Sequence, residues 1–137
     1  RDMPERRGRT VLAFDFGLKR IGIAVGEPEL RTAHPLGAVT RFEEVASLVA
    51  EWKPGRLVVG LPLSAGGEAH AMTRRAEEFA RRLERRFKLP VARVDERYSS
   101  AEAQSRLRGT RTGRAGKGKI DSVAAQLLLE QYFDEAA

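Results

Sequence analysis

The 137-residue chain contains no cysteine. That excludes a disulfide framework, a thiolate metal site and a cysteine nucleophile. It has only two histidines. Neither His34 nor His70 stands at a productive spacing from a carboxylate or from the other, so both read as structural or surface residues. Aromatics are sparse as well. Phe42, Trp52, Tyr98 and Tyr132 are too scattered to form a base-stacking platform. Ser64, Ser99, Ser100 and Ser122 lack both a histidine partner and the GxSxG turn, so a serine hydrolase is not supported. No apolar run approaches the ~20 residues of a membrane helix. The basic stretch over residues 1–10 lacks the apolar segment of a secretory leader. The expectation is a cytoplasmic protein that does not enter the membrane.

One further absence is local. Residues 103–119 contain no acid, yet carry Arg106, Arg108, Arg111, Arg114, Lys117 and Lys119. Across the chain 25 basic residues face 19 acidic ones, a net charge of +6, so the excess equals the six cations of this segment. A positive field concentrated in this way points to a polyanionic partner, nucleic acid first. A solvated basic loop is the plainer reading.

Length and the lack of any repeat or Pro-rich linker predict one domain over residues 10–137, preceded by a basic extension over residues 1–9. Thr10 to Phe14 is a short apolar run ending at Asp15, which reads as a buried strand. Ile21, Ile23 and Val25 alternate with Gly22, Ala24 and Gly26, predicting a second strand in a hairpin with the first. The small residues leave one face open to close packing or to a ligand. A weaker third strand is expected over Leu36 to Val39, then a helix over Phe42 to Trp52. The continuous run Leu57 to Leu61 is the pattern of a parallel strand covered on both faces. A long helix follows over Ala69 to Phe87. Its Arg74–Arg75, Arg81–Arg82 and Arg85–Arg86 pairs, offset by Glu77, Glu78 and Glu84, read as a solvated face. Val91 to Val94 forms another strand. Ser99 and Glu102 make a capping box for a short helix ending at Leu107. Residues 108–119 read as a mobile loop, and a last helix runs from Asp121 to Phe133. The fold class is α/β: a five-stranded mixed sheet, three antiparallel strands followed by βα units, flanked by helices on both faces.

Three carboxylates stand out by position. Asp15 closes an apolar strand, where a charge must reach the sheet edge or a cation. Glu96 follows the strand over Val91 to Val94, at the end where open α/β sheets place ligands. Asp121 begins the last helix, directly after the basic loop. Convergent carboxylates are hard oxygen ligands suited to Mg²⁺ or Mn²⁺. Each also has a simpler role: Asp15 in a turn, Glu96 in a surface ion pair, Asp121 as a helix N-cap. Adjacent strand residues face opposite ways, so only one of Asp95 and Glu96 points into a site.

The segments Leu12 to Gly17, Arg20 to Gly26, Val58 to Leu63, Asp95-Glu-Arg97 with Ser99, and Lys117-Gly-Lys-Ile-Asp-Ser122 run in order along nearly the whole chain. Together they resemble the YqgF (RuvX) family, which are RuvC-like nucleases of the ribonuclease-H fold. The resemblance implies catalytic, metal-binding acids at Asp15, Glu96 and Asp121, with Glu96 rather than Asp95 turned inward. It implies Mg²⁺- or Mn²⁺-dependent hydrolysis of a phosphodiester, either in resolving four-way (Holliday) DNA junctions or in trimming the 5′ end of precursor 16S rRNA. Lys117 and Lys119 match the family's basic approach to the last acid. With Lys19, Arg20, Arg97, Arg108, Arg111 and Arg114 they are assigned to backbone phosphates. Resolving a junction takes two coordinated cuts and so a C2 homodimer; trimming RNA needs one site. Where RuvC relatives carry a further acid one helical turn beyond the last, this chain has Ala124 and Ala125, which predicts a metal shell richer in water. Two other readings remain: a single-lobe nucleotide-binding fragment of the actin and sugar-kinase type, suggested by the Asp15-x-Gly17 hairpin, and a non-catalytic nucleic-acid-binding module.

Overall fold

The fold is that of a computed structural model, which describes residues 9–63, 66–67, 69–96 and 116–136, the side chains of 116–121 and 136 excepted. Five strands form one sheet: β1 (Val11–Phe16), β2 (Ile21–Glu27), β3 (Thr32–Val39), β4 (Arg56–Leu61) and β5 (Val91–Asp95). Their order is β3-β2-β1-β4-β5. The first three are antiparallel to one another, while β4 and β5 run parallel to β1. Helices α1 (Phe42–Trp52) and α2 (Ala71–Phe87) cover one face, and α3 (Gly116–Ala136) covers the other. This is the mixed, doubly covered sheet that the sequence pattern predicts.

Strand alternation sorts the residues between two cores. Leu12, Phe14, Ile21, Ile23, Val25, Leu57, Val59 and Val91 pack with Val45 and Val49 of α1 and with Ala76, Phe79, Ala80 and Leu83 of α2. Val11, Ala13, Ala24, Val58 and Val94 pack with Ala125, Leu128, Leu129 and Phe133 of α3. The second core is built from small residues on the sheet side, so α3 lies close. A Cβ at Gly26 would run into the Thr32 carbonyl and come within 3.0 Å of both Leu129 and Phe133. The open face seen on β2 is therefore filled by a helix along part of its length. Gln126 and Gln131 tie α3 across the sheet by donating to the carbonyls of Ala33 (3.1 Å) and Asp95 (3.3 Å).

Three boundaries differ from the sequence reading. β3 starts at Thr32 rather than Leu36. It is the edge strand, where Pro35 needs no ladder hydrogen bond, and it bulges at Leu36, since Ile23 pairs with Gly37 and Ala24 with Pro35. α3 starts at Gly116, so Gly116 to Lys119 are helical and not part of the expected loop. Once α3 is docked on the sheet, extending it costs far less than nucleating a helix. α2 begins at Ala71 because His70 is its N-cap: His70 Nδ1 accepts from Met72 N–H at 3.2 Å, and Thr73 Oγ1 accepts from His70 N–H at 3.1 Å. Thr73 Oγ1 also donates to the Pro62 carbonyl, fastening the start of α2 to the end of β4. The expected short helix from Ser99 to Leu107, the loop over 108–115 and the extension over 1–8 lie outside the described residues.

A buried-edge ion cluster joins β5 to α2. Arg93 donates to both Glu77 oxygens (3.0 and 2.8 Å), to Glu84 Oε2 (2.6 Å) and to the Val91 carbonyl (2.7 Å). The hydrogen bonds from Arg93 hold the Glu77 carboxyl below the usual value of 4.5. A carboxyl depressed in the folded state contributes stability above its unfolded pKa and loses it as pH falls through the folded value. Urea titrations of the wild type should therefore show stability dropping as pH falls below about 4.5. In Glu77→Gln that drop should be shallower, and an identical pH profile for the two proteins would exclude the linkage.

Candidate active site

Phe14 and Phe16 belong to the α1–α2 side of the sheet, so Asp15 between them projects to the α3 side. It lies within β1 and pairs with Gly22 of β2, which removes the turn role. One step beyond the Phe14–Val59 pair, β1 brings Asp15 alongside Gly60 of β4. Both flanking strands thus carry glycine at the level of Asp15.

The same alternation settles the choice between Asp95 and Glu96. Val94 faces α3, and Val91 and Arg93 face the other helices. Glu96 therefore shares the Asp15 face and Asp95 does not. The Glu96 N–H extends the ladder by bonding the Leu61 carbonyl at 3.2 Å. Its side chain turns back over β4. Glu96 Oε1 is buried and lies 2.7 Å from the point a Gly60 Cβ would occupy, while Leu128 Cδ1 comes within 2.5 Å of that point. One glycine thus makes the floor on which the Glu96 carboxylate rests, one strand spacing, about 4.8 Å, from β1. Sequence reading missed Gly60 because it sits inside an apolar run; a glycine within a strand otherwise packed on both faces was the available signal.

Asp121 is the sixth residue of α3, so it is not a helix N-cap. Its position falls one turn before Ala125 and two before Leu128, both packed on the sheet. Its side chain lies outside the described residues, as do those of Lys117 and Lys119. Arg97, Arg108, Arg111 and Arg114 lie outside them entirely. Among the described residues no group of three ligating side chains forms a metal centre. Two carboxylates over a glycine floor nevertheless fit the hard-oxygen donor set that Mg²⁺ or Mn²⁺ requires. Ala124 and Ala125 are buried at 1% and 0% exposure. An acid at either place would be forced into apolar packing, beside Leu127 for position 124 and against the sheet for position 125. Lys19 is exposed in the β1–β2 turn, and Arg20 beside it is half-buried. No described helix is long and apolar enough to cross a membrane.

Gly60→Ala should push both the Glu96 carboxylate and Leu128 aside. The Glu96 end can swing aside, while the buried Leu128 must repack, so the expected loss of stability is about 1–2 kcal/mol, read from the urea midpoint. A loss above about 3 kcal/mol would mean that the β4 backbone itself cannot adjust.

Comparison with known proteins bears on the family and the fold. The family model described as "RuvX: Holliday junction resolvase" matches residues 9–135. A protein of Dechloromonas aromatica named "Putative pre-16S rRNA nuclease" is 52% identical over 132 residues, covering 91% of this chain and 90% of its own. One of Nitrosomonas europaea with the same name is 49% identical over 140 residues, covering 97% and 95%. Among solved structures, Thermus thermophilus RuvC in complex with a Holliday junction substrate superposes with a TM-score of 0.59 at 14% identity, covering 93% of this chain and 95% of RuvC. That likeness establishes a RuvC-like, ribonuclease-H fold. With nearly its whole length matched by the family model and by relatives at about half identity, the chain belongs to the RuvX family.

Proposed function

We propose that this protein is a metal-dependent nuclease that hydrolyses phosphodiester bonds at Asp15, Glu96 and Asp121, with precursor 16S rRNA as its first substrate class. The observation that carries the reading is the placement of Asp15 and Glu96 on one face of the sheet, around a glycine floor, in a chain of the RuvX family. The choice of RNA rests on the names of relatives at about half identity. RuvC, at 14% identity, supports the fold and keeps the four-way junction as the second substrate to test.

Asp15 and Glu96, joined by Asp121, would hold Mg²⁺ or Mn²⁺. When bound, such an ion supplies charge stabilisation at the phosphate and activation of water. The protein's own contribution is positioning. β1 and the end of β5 fix two carboxylates from separate strands. Gln131 holds α3 to the Asp95 carbonyl next to Glu96. Leu128 closes the apolar side of the floor. Without a cation these acids repel a phosphate backbone, which disfavours a purely binding module. Lys19, Arg20, Arg97, Arg108, Arg111, Arg114, Lys117 and Lys119 are assigned to offset that repulsion along the substrate.

One cleavage assay tests the reading. Wild type, Asp15→Asn and Glu96→Gln each meet a precursor rRNA 5′ leader and a synthetic four-way DNA junction, with Mg²⁺, with Mn²⁺ and with chelator. The expected result is cleavage of the RNA by wild type alone, lost with chelator, while circular dichroism stays unchanged in the variants. Symmetric nicking of the junction would transfer the protein to the resolvase reading and call for a homodimer, seen by sedimentation. No cutting of either substrate by wild type would refute the nuclease. Gly60→Ala, with its small structural cost, should lower the cleavage rate on the order of 100-fold, because Glu96 moves by about 1 Å.

Neutralising Arg114, Lys117 and Lys119 together should weaken substrate binding and reduce the slope of log affinity against log salt by about two to three. An unchanged slope would show that these residues do not touch phosphates.

A further inference from the structure

The arginines of α2 are not equivalent. Arg81 pairs with Glu77 at 3.2 Å, and Arg86 lies over Phe87, 5.5 Å from its ring centre. Arg75, Arg82 and Arg85 fall on one stripe of the helix and, with Phe16, Phe79 and Glu78, line a groove of ≈ 410 Å³. All three arginines are exposed. Among the described residues none of the three makes an ion pair. The Arg82 guanidinium sits 3.7 Å from the centre of the Phe42 ring, which restrains it while leaving its N–H groups for an acceptor. Glu78 is the single acid of the groove, so the lining carries a net positive charge.

Its location gives the groove meaning. Phe16, which forms part of the floor, is the residue after Asp15 in β1. Asp15 faces α3 and Phe16 faces α2, so the groove opens on the reverse side of the same sheet edge. The first turn of α2, immediately before Arg75, is fastened to that edge through Thr73 and Pro62. From there the stripe leads along the helix and away from the carboxylates.

We propose that this groove holds the phosphodiester backbone of the nucleic acid on the far side of the cleavage point, with Arg75, Arg82 and Arg85 contacting phosphates and the half-buried Phe16 ring lying under the chain. The proposal rests on the nuclease reading and extends it to a second stretch of substrate, reached around the edge of the sheet from Asp15. A strand held only at the carboxylates would meet net repulsion. A strand held at the groove as well is anchored by cations on both sides of the cut.

The test compares two triple variants that remove the same charge from the same helix. Arg75→Gln/Arg82→Gln/Arg85→Gln clears the groove, and Arg74→Gln/Arg81→Gln/Arg86→Gln spares it. Binding of a fluorescent precursor-rRNA leader and of a four-way DNA junction is measured by anisotropy with chelator present, across a salt series. The groove variant should bind at least 10-fold more weakly than wild type. Its slope of log affinity against log salt should fall by about two for single-stranded RNA and nearly three for duplex arms. The control variant should lose less than threefold. Equal losses in both variants would reduce the effect to net charge and overturn the proposal. Wild-type affinity in the groove variant would overturn it while leaving the nuclease reading intact. Wild type that binds neither nucleic acid, with chelator or with Mg²⁺, would sink both readings together. Circular dichroism and the urea midpoint, expected unchanged because all six side chains are exposed, separate each outcome from misfolding.

Discussion

The close seating of α3 on the sheet is the constraint from which the rest follows. A helix bearing Leu128, Leu129 and Phe133 can approach only where the sheet offers little side chain, and β2 and β4 supply that with Gly26, Ala24 and Gly60. The same economy of side chains makes room for chemistry. Toward the start of β2 and the end of β4 the small positions continue as Gly22 and Gly60, on either side of Asp15 at the end of β1, but the occupant there is a carboxylate. Packing and site are thus two uses of one strip of small residues. Leu128 marks the boundary, since it touches the Gly60 position from one side while Glu96 touches it from the other. The site inherits its rigidity from the core, because moving Glu96 means moving Leu128 or the backbone under both.

The pleat provides the second constraint. Consecutive residues of β5 serve opposite faces, so the strand that offers Glu96 to α3 offers Arg93 to α2. Arg93 is held by two glutamates and a carbonyl, a satisfied, partly buried cluster of the kind that specifies one arrangement. Its effect is to lock β5 to α2 three residues before the catalytic candidate. The long charged helix does two kinds of work. Glu77 and Glu84 are spent on Arg93, and this leaves Arg75, Arg82 and Arg85 without acidic partners on the adjoining stripe. The six arginines and three glutamates of α2, which read in sequence as a solvated face, divide into a structural side and a cationic side.

Much of this was legible in the sequence. Apolar runs and alternation placed β1, β2, β4, β5, α1 and α2 to within about two residues, because hydrophobic period dominates where both faces are buried. Asp15 and Glu96 were readable as charged residues closing apolar strands. Three things were not. β3 is an edge strand with a proline and a bulge, so its burial pattern is irregular and half of it carries no alternation. The start of α3 runs through glycines of poor helix propensity and lysines set against the positive end of the helix dipole, and both oppose the helix that tertiary docking extends. The Gly60 floor and the Arg93 cluster are relations between elements distant in sequence. Spacing cannot express them, and only the register of β4 between β1 and β5 brings them together.

The charge pattern follows from the site rather than standing beside it. Two or three carboxylates gathered at one sheet edge set up a negative field where a polyanion must come closest, and Coulomb repulsion at such distances is worth several kcal/mol at the dielectric of a protein surface. A divalent cation removes that repulsion at the point of reaction only. Away from it the backbone must be held by fixed cations, and their number must grow with the length of substrate engaged. The chain's excess of six positive charges matches in number the cations of residues 103–119, on the sequence side of Asp121. The α2 stripe adds three more, because Glu77 and Glu84 are engaged by Arg93. Under the proposed function, the basic segment that precedes Asp121 in sequence and the α2 groove would both supply cations to a phosphodiester chain, with metal required only at the acids.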